Sequence, residues 1–192
     1  VWGARPAGTT LTYKANDGTG EDVVENLANN ATVTTKPGTT FSRVGYTFKG
    51  WDTDPKGEGS IKAGDSVQVD NNGANVLYAI WTANTDTKYT VEFYYQNTDG
   101  SYPQDANESV VRNDGTTDTT VSVKPEDKND RENGKYVYDK SAPNVESGTV
   151  AGDGSLKLKL YFKLNMFTIT YVRGAHGNLA GQIDDSKVVH EN

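Results

Sequence analysis

Apolar and polar residues alternate one by one through the most regular stretches of this chain. In Leu156-Lys157-Leu158-Lys159-Leu160-Tyr161-Phe162-Lys163-Leu164, five apolar side chains fall on one face and three lysines and a tyrosine on the other. That is the two-residue period of a β-strand, not the 3.6-residue period of a helix. The same period runs through Tyr89-Thr90-Val91-Glu92-Phe93-Tyr94-Tyr95 and Phe167-Thr168-Ile169-Thr170-Tyr171. Asn16-Asp17-Gly18, Asp99-Gly100 and Gly152-Asp153-Gly154 lie between such runs and supply the positive φ angles that tight turns need. Helical spacing is confined to Glu21 to Asn29, where Val23, Val24 and Leu27 fall together, and to Ala106 to Arg112, which offers one further turn. The expected fold class is α+β and mostly β, with at most one short helix per unit.

Composition removes several classes of function. Only 34% of the 192 residues are hydrophobic, and no run approaches the ~18 apolar residues of a membrane-spanning helix, so no membrane insertion is expected. A net charge of -7 argues against nucleic acid as a partner. Without cysteine there is no disulfide framework, thiolate zinc site or thiol nucleophile. Yet 11 Tyr, 5 Phe and 3 Trp are far more aromatics than flexible polar tails carry, so the chain builds cores.

A longer period is superimposed on the strand period. Leu11-Thr12-Tyr13, Val91-Glu92-Phe93 and Ile169-Thr170-Tyr171 open alike, at positions 11, 91 and 169. Val1-Trp2 echoes the end of Val76-Leu77-Tyr78-Ala79-Ile80-Trp81. The chain therefore reads as an excerpt from a tandem array. The expected division is 1–8 as the end of a preceding repeat, 9–86 and 87–165 as complete units, and 166–192 as the start of an incomplete one.

Gly45-Tyr46-Thr47-Phe48-Lys49-Gly50-Trp51, followed by Leu77-Tyr78-Ala79-Ile80-Trp81, resembles the internalin-B-type, or Listeria–Bacteroides, repeat over about residues 11 to 82. The second unit is similar to mucin-binding-protein-like repeats, through Tyr89 to Tyr95, Asp99-Gly100 and Gly148-Thr149-Val150. Tyr171-Val172-Arg173-Gly174-Ala175-His176-Gly177 looks like the opening of another repeat. These resemblances imply tandem small β-grasp-like (ubiquitin-like) repeat units of a bacterial surface protein, in which a twisted sheet packs over a short helix or loop. They imply no enzymatic activity and no cofactor. The residues themselves explain the signature: Tyr46 and Phe48 share a strand face, Gly50 lets the strand bend or a neighbour approach, and Trp51 folds over the core.

Other constellations read as structural. Asp52-Thr53-Asp54-Pro55-Lys56-Gly57-Glu58 has Lys56 at the fifth position and Ala63 at the twelfth, where a calcium-binding EF-hand loop needs oxygen ligands. The acids of Asn16-Asp17-Gly18-Thr19-Gly20-Glu21-Asp22 offer at best a weak cation site, and no metal is expected. His176 and His190 read as loop or tail residues, and no nucleophile elbow, phosphate loop or zinc-protease motif occurs. An intramolecular Lys–Asn or Lys–Asp isopeptide bond needs a buried lysine of depressed pKa, for which Lys14 and Lys88 are the candidates near strand starts. Alternation places Tyr94 and Tyr161 opposite the apolar faces of their strands, which makes them the candidate ligand contacts.

The expectation is a set of non-enzymatic spacer or stalk repeats of an extracellular adhesin on the bacterial cell surface or cell wall, contributing to host attachment. The linkage through Asn84-Thr85-Asp86-Thr87 is expected to be semi-rigid. The partners expected are neighbouring repeats of the same chain and a host glycoprotein or glycan. Two alternatives stay open at this point: a direct glycan- or mucin-binding module, and a non-catalytic appendage of a secreted hydrolase.

Overall fold

The structure, a computed structural model, describes residues 8–71 and 74–167. Among these residues the chain is mostly β, with twelve strands, three 3-10 turns and no α-helix. Two compact units form. The first takes the described part of Val1–Thr90 with Val111–Val121 and Ser147–Leu156, and the second takes Val91–Val110, Ser122–Glu146 and the described part of Lys157–Asn192.

The first six strands are β1 (Gly8–Lys14), β2 (Val23–Ala28), β3 (Thr32–Thr34), β4 (Tyr46–Asp52), β5 (Ser66–Gln68) and β6 (Ala74–Ala83). Four of them make an open sheet in the order β2-β1-β6-β4. The central β1–β6 pair is parallel, with β2 antiparallel on one side and β4 antiparallel on the other. Strands β3 and β5 form a separate short antiparallel ladder.

Strand β4 shows how the aromatic signature folds. Phe48 pairs with Trp81 and Gly50 with Ile80, so the register shifts at Lys49. One extra residue lets positions 48 and 51, which an unbroken strand would send to opposite faces, point to the same side. Trp51 is fully buried and meets Tyr13, Phe48 and Phe41 edge-on, with ring centroids 4.9, 5.0 and 6.0 Å away. Its indole N–H donates to the Lys36 carbonyl at 2.9 Å. Gly50 has the expected close neighbour, since a Cβ there would lie 2.4 Å from the Gly59 carbonyl oxygen. Leu11, Val69, Leu77 and Ala79 complete this core.

Both expected helical segments are instead extended. Glu21 to Asn29 contains β2, where Val23, Glu25 and Leu27 pair with Tyr13, Leu11 and Thr9. A spacing of four residues, as in Val23 and Leu27, fits one face of a helix and one face of a strand equally. Val24 decides between them: it is 53% exposed, on the opposite face, and two adjacent β-branched residues favour the strand. Ala106 to Arg112 runs into β8 (Glu108–Gly115), where Val110 and Val111 carry the same preference.

The remaining strands are β7 (Thr87–Tyr95), β9 (Thr120–Ser122), β10 (Tyr136–Tyr138), β11 (Ser147–Thr149) and β12 (Lys157–Leu164). A second sheet has the order β10-β12-β7-β8, and β9 pairs with β11. In the second unit Val91, Phe93, Tyr95, Leu158, Leu160 and Phe162 are buried, as alternation requires. The Arg131 guanidinium lies 4.2 Å from the Phe93 ring centre and 5.4 Å from that of Phe162, so a cation–π contact adjoins this aromatic core. Residues 1–7 and 168–192 lie outside the described residues. With them go Trp2, Ile169 to Tyr171, His176 and His190, on which the readings of the flanking repeats rest.

Truncating Trp51 to alanine is expected to cost about 3–5 kcal/mol in urea unfolding followed by far-UV circular dichroism. An unchanged midpoint would place the core of the first unit elsewhere.

Candidate functional site

The two tyrosines singled out in the sequence meet in the second unit. Tyr94 on β7 and Tyr161 on β12 stack with ring centroids 4.7 Å apart and planes 18° from parallel. Alternation puts Glu92 beside Tyr94, and Lys157 and Lys159 beside Tyr161, so the polar faces of two neighbouring strands interlock. The Tyr94 hydroxyl donates to Glu92 Oε2 at 2.8 Å, and Lys157 Nζ pairs with Glu92 Oε1 at 2.6 Å. Lys159 Nζ lies 5.7 Å from the Tyr94 ring centre.

Two further residues complete the cluster. Tyr102, on the connection between β7 and β8, meets Tyr161 edge-on at 5.0 Å and donates its hydroxyl to Asp139 Oδ2 at 2.9 Å. Asp139 Oδ1 accepts from the Ser141 amide and hydroxyl at 2.9 and 2.6 Å. The Asn144 side-chain oxygen accepts from the Tyr161 amide at 2.9 Å, which fixes the backbone under the ring. Sequence reasoning missed Tyr102 and Asp139. The available signals were a lone aromatic in the polar stretch Ser101-Tyr102-Pro103 and an Asp two residues before a Ser, the spacing of an Asx turn.

Tyr94 does face away from the apolar side of its strand, as expected, but it is only 4% exposed. Tyr161 covers its ring, leaving almost no surface for a ligand to stack on. Tyr161 is half-buried and is the accessible member of the pair.

Burial and hydrogen bonding shift the acids Glu92 and Asp139 and the phenols Tyr94 and Tyr102 in opposite directions. Burial pushes the Glu92 carboxyl up, but Lys157, the Tyr94 hydroxyl and Lys159 together outweigh it, and Glu92 stays below the usual carboxylate range. Burial first, and then the carboxylate beside it, pushes the Tyr94 phenol up to about 12. Burial and Asp139 raise Tyr102 in the same way, while the Ser141 hydroxyl leads the lowering of Asp139. Neutral phenols bonded to ionised carboxylates leave the cluster without an activated nucleophile or a base poised near neutral pH.

The other candidates are also engaged. The Asp52 carboxylate accepts from the Asp54, Gly59 and Ser60 amides and from the Ser60 hydroxyl, so it ties its own turn together. Asp22 pairs with Lys14 at 2.6 Å. Lys14 is 39% exposed and its pKa is raised by Asp22, the reverse of what isopeptide formation requires; Lys88 is exposed as well. Among the described residues no group of three or more His, Cys, Asp or Glu is arranged to hold a metal ion. No helix there is long and apolar enough to cross a membrane.

Residues 10–80 match the Listeria-Bacteroides repeat domain, a repeat found in bacterial surface proteins and typically non-catalytic. The match takes in most of β1, the bulged strand β4 with Trp51, and most of β6. It covers less than half of the chain, so the likeness belongs to this segment. No curated protein matches the chain.

In alkaline spectrophotometric titration, the difference between the parent and a Tyr94→Phe variant should show one phenol ionising at about 12. An ordinary tyrosine ionises near pH 10. Because the folded value is raised, this group's stabilisation is complete below about pH 10 and is lost as pH climbs through about 12. Glu92 works in the opposite direction: its folded value is depressed, so its contribution is present above the normal glutamate range and fades as pH falls through the folded value. A Tyr94 component near 10 would mean that the stack is open.

Proposed function

We propose that this chain consists of tandem, non-enzymatic spacer repeats of an extracellular bacterial adhesin, positioned between a host-binding region and the cell wall. The observation that carries the reading is the match of residues 10–80 to a repeat of bacterial surface proteins. The spacing of Leu11, Val91 and Ile169 supports the array. A β-grasp-like unit is supported by the parallel β1–β6 pair flanked by antiparallel β2 and β4, with the loop and 3-10 turn between β3 and β4 in place of a helix. Residues 87–165 form the second, mucin-binding-protein-like repeat in this proposal, and neighbouring repeats of the same chain are its partners. Such units hold together without cysteine, and a net charge of -7 limits adhesion between adjacent stalks.

Antibody raised against the chain should label intact cells of the producing bacterium, and the label should be removed by external protease. Label that appears only after lysis would overturn the surface reading. Immobilised mucin and a glycan array should retain none of the purified chain. Saturable retention that a Tyr161→Ala substitution abolishes would replace the spacer with a binding module.

A further inference from the structure

The Gly-Tyr and Phe-x-Gly-Trp halves of the signature do different work in this fold. Phe48, Gly50 and Trp51 build the core described above. Gly45 and Tyr46 face segments that lie far along the chain but belong to the same compact unit. The Tyr46 hydroxyl donates to the Asp118 carboxylate, and the Arg43 guanidinium lies 3.8 Å from the Tyr46 ring centre. A Cβ on Gly45 would sit 2.3 Å from Gly152 Cα and 2.8 Å from Thr117 Oγ1; one on Gly152 would sit 2.3 Å from the Val44 carbonyl oxygen. Real Cβ atoms do not approach backbone so closely, so the two glycines are what permit this contact.

Hydrogen bonds lock the same seam. The Asn84 amide donates to the Gly45 carbonyl at 2.9 Å, and the Thr117 amide donates to the Asn84 carbonyl at 3.0 Å. The Thr47 hydroxyl donates to Asn84 Oδ1 at 2.7 Å, and the buried hydroxyls of Thr87 and Thr117 share a bond of 2.8 Å. The Asp118 amide donates to the Val150 carbonyl at 2.9 Å, which joins the two incoming pieces to each other. Asp118 takes a positive φ of 61°, a backbone cost placed where the pieces meet, while Gly45, at 80°, holds a conformation that glycine adopts freely.

We infer that Gly45-Tyr46-Thr47 is a docking surface for residues 114–119 and 150–152 of the segment that follows, so that the stability of the 10–80 repeat is set partly from beyond its own boundary. The occupant is identified by what fits: a glycine whose backbone can approach Gly45 directly, beside a carboxylate in reach of the Tyr46 hydroxyl. This inference stands on the contacts alone and holds whether or not the chain is a spacer. It extends nearest-neighbour coupling, familiar in repeat arrays, to a specific set of atoms.

The test uses the full chain. In a Trp2→Phe background the remaining tryptophans, Trp51 and Trp81, both lie on the β4–β6 pair, so their fluorescence reports the unfolding of that sheet. Gly152→Ala, more than 70 residues beyond the match, should lower the urea midpoint of that signal. In a double-mutant cycle, Tyr46→Phe should reduce the folding constant several-fold in the parent but less than about two-fold in an Asp118→Gly background. The cycle cancels the change in backbone freedom at position 118, and it still answers if Gly152→Ala does not fold. A parental tryptophan midpoint in Gly152→Ala, or equal effects of Tyr46→Phe in the two backgrounds, would overturn the inference.

Discussion

The first unit depends on the complete burial of one indole. Trp51 closes a sheet that supplies few large aliphatic side chains, and Tyr13, Phe41 and Phe48 all pack against it edge-on. Burying such a ring contributes roughly 2–3 kcal/mol, a large share of what a small domain retains after its chain entropy is met. The burial requires three local arrangements. The bulge at Lys49 turns the ring inward, Gly50 lets the Gly59 backbone close over the strand, and the Lys36 carbonyl satisfies the indole N–H. Without that acceptor the ring would bury an unpaired donor at a cost of about 1–3 kcal/mol.

The second unit solves the same shortage of aliphatic residues differently. One face of its sheet is a conventional apolar core. The other is a set of paired tyrosines and charges in which two phenols donate to carboxylates, Tyr94 to Glu92 and Tyr102 to Asp139. Aromatic bodies supply the contact area, and their hydroxyls offset part of the penalty of burying Glu92 and Asp139. A face that reads as solvent-exposed in the sequence is thereby partly covered, and this is why Tyr94 offers almost no surface to a ligand.

Strand positions and the structural role of the Phe-x-Gly-Trp aromatics were legible because alternation, turn glycines and a large ring after a glycine each have a direct steric meaning. The extended state of Glu21 to Asn29 was not, since a four-residue spacing satisfies both periods and only pairing with β1 distinguishes them. Nor was the cover over Tyr94: alternation assigns a side chain to a face but does not tell that β12 lies beside β7 and stacks Tyr161 on the ring. The role of Gly45 was hidden for a similar reason. Its partner, Gly152, is more than a hundred residues away, and nothing local at either position indicates the other.

Through these contacts the ring-centred repeat and the segments docked on Gly45-Tyr46-Thr47 form one cooperative structure. Native-state hydrogen exchange on the full chain tests it directly. The amides of Trp51 and Ile61, which bond across the bulged strand, and those of Asn84 and Thr117, which bond across the seam, are the reporters. All four are expected to exchange through openings of the same free energy and the same dependence on denaturant. Exchange of Asn84 and Thr117 through a low-energy opening insensitive to denaturant, with Trp51 and Ile61 still protected, would contradict it.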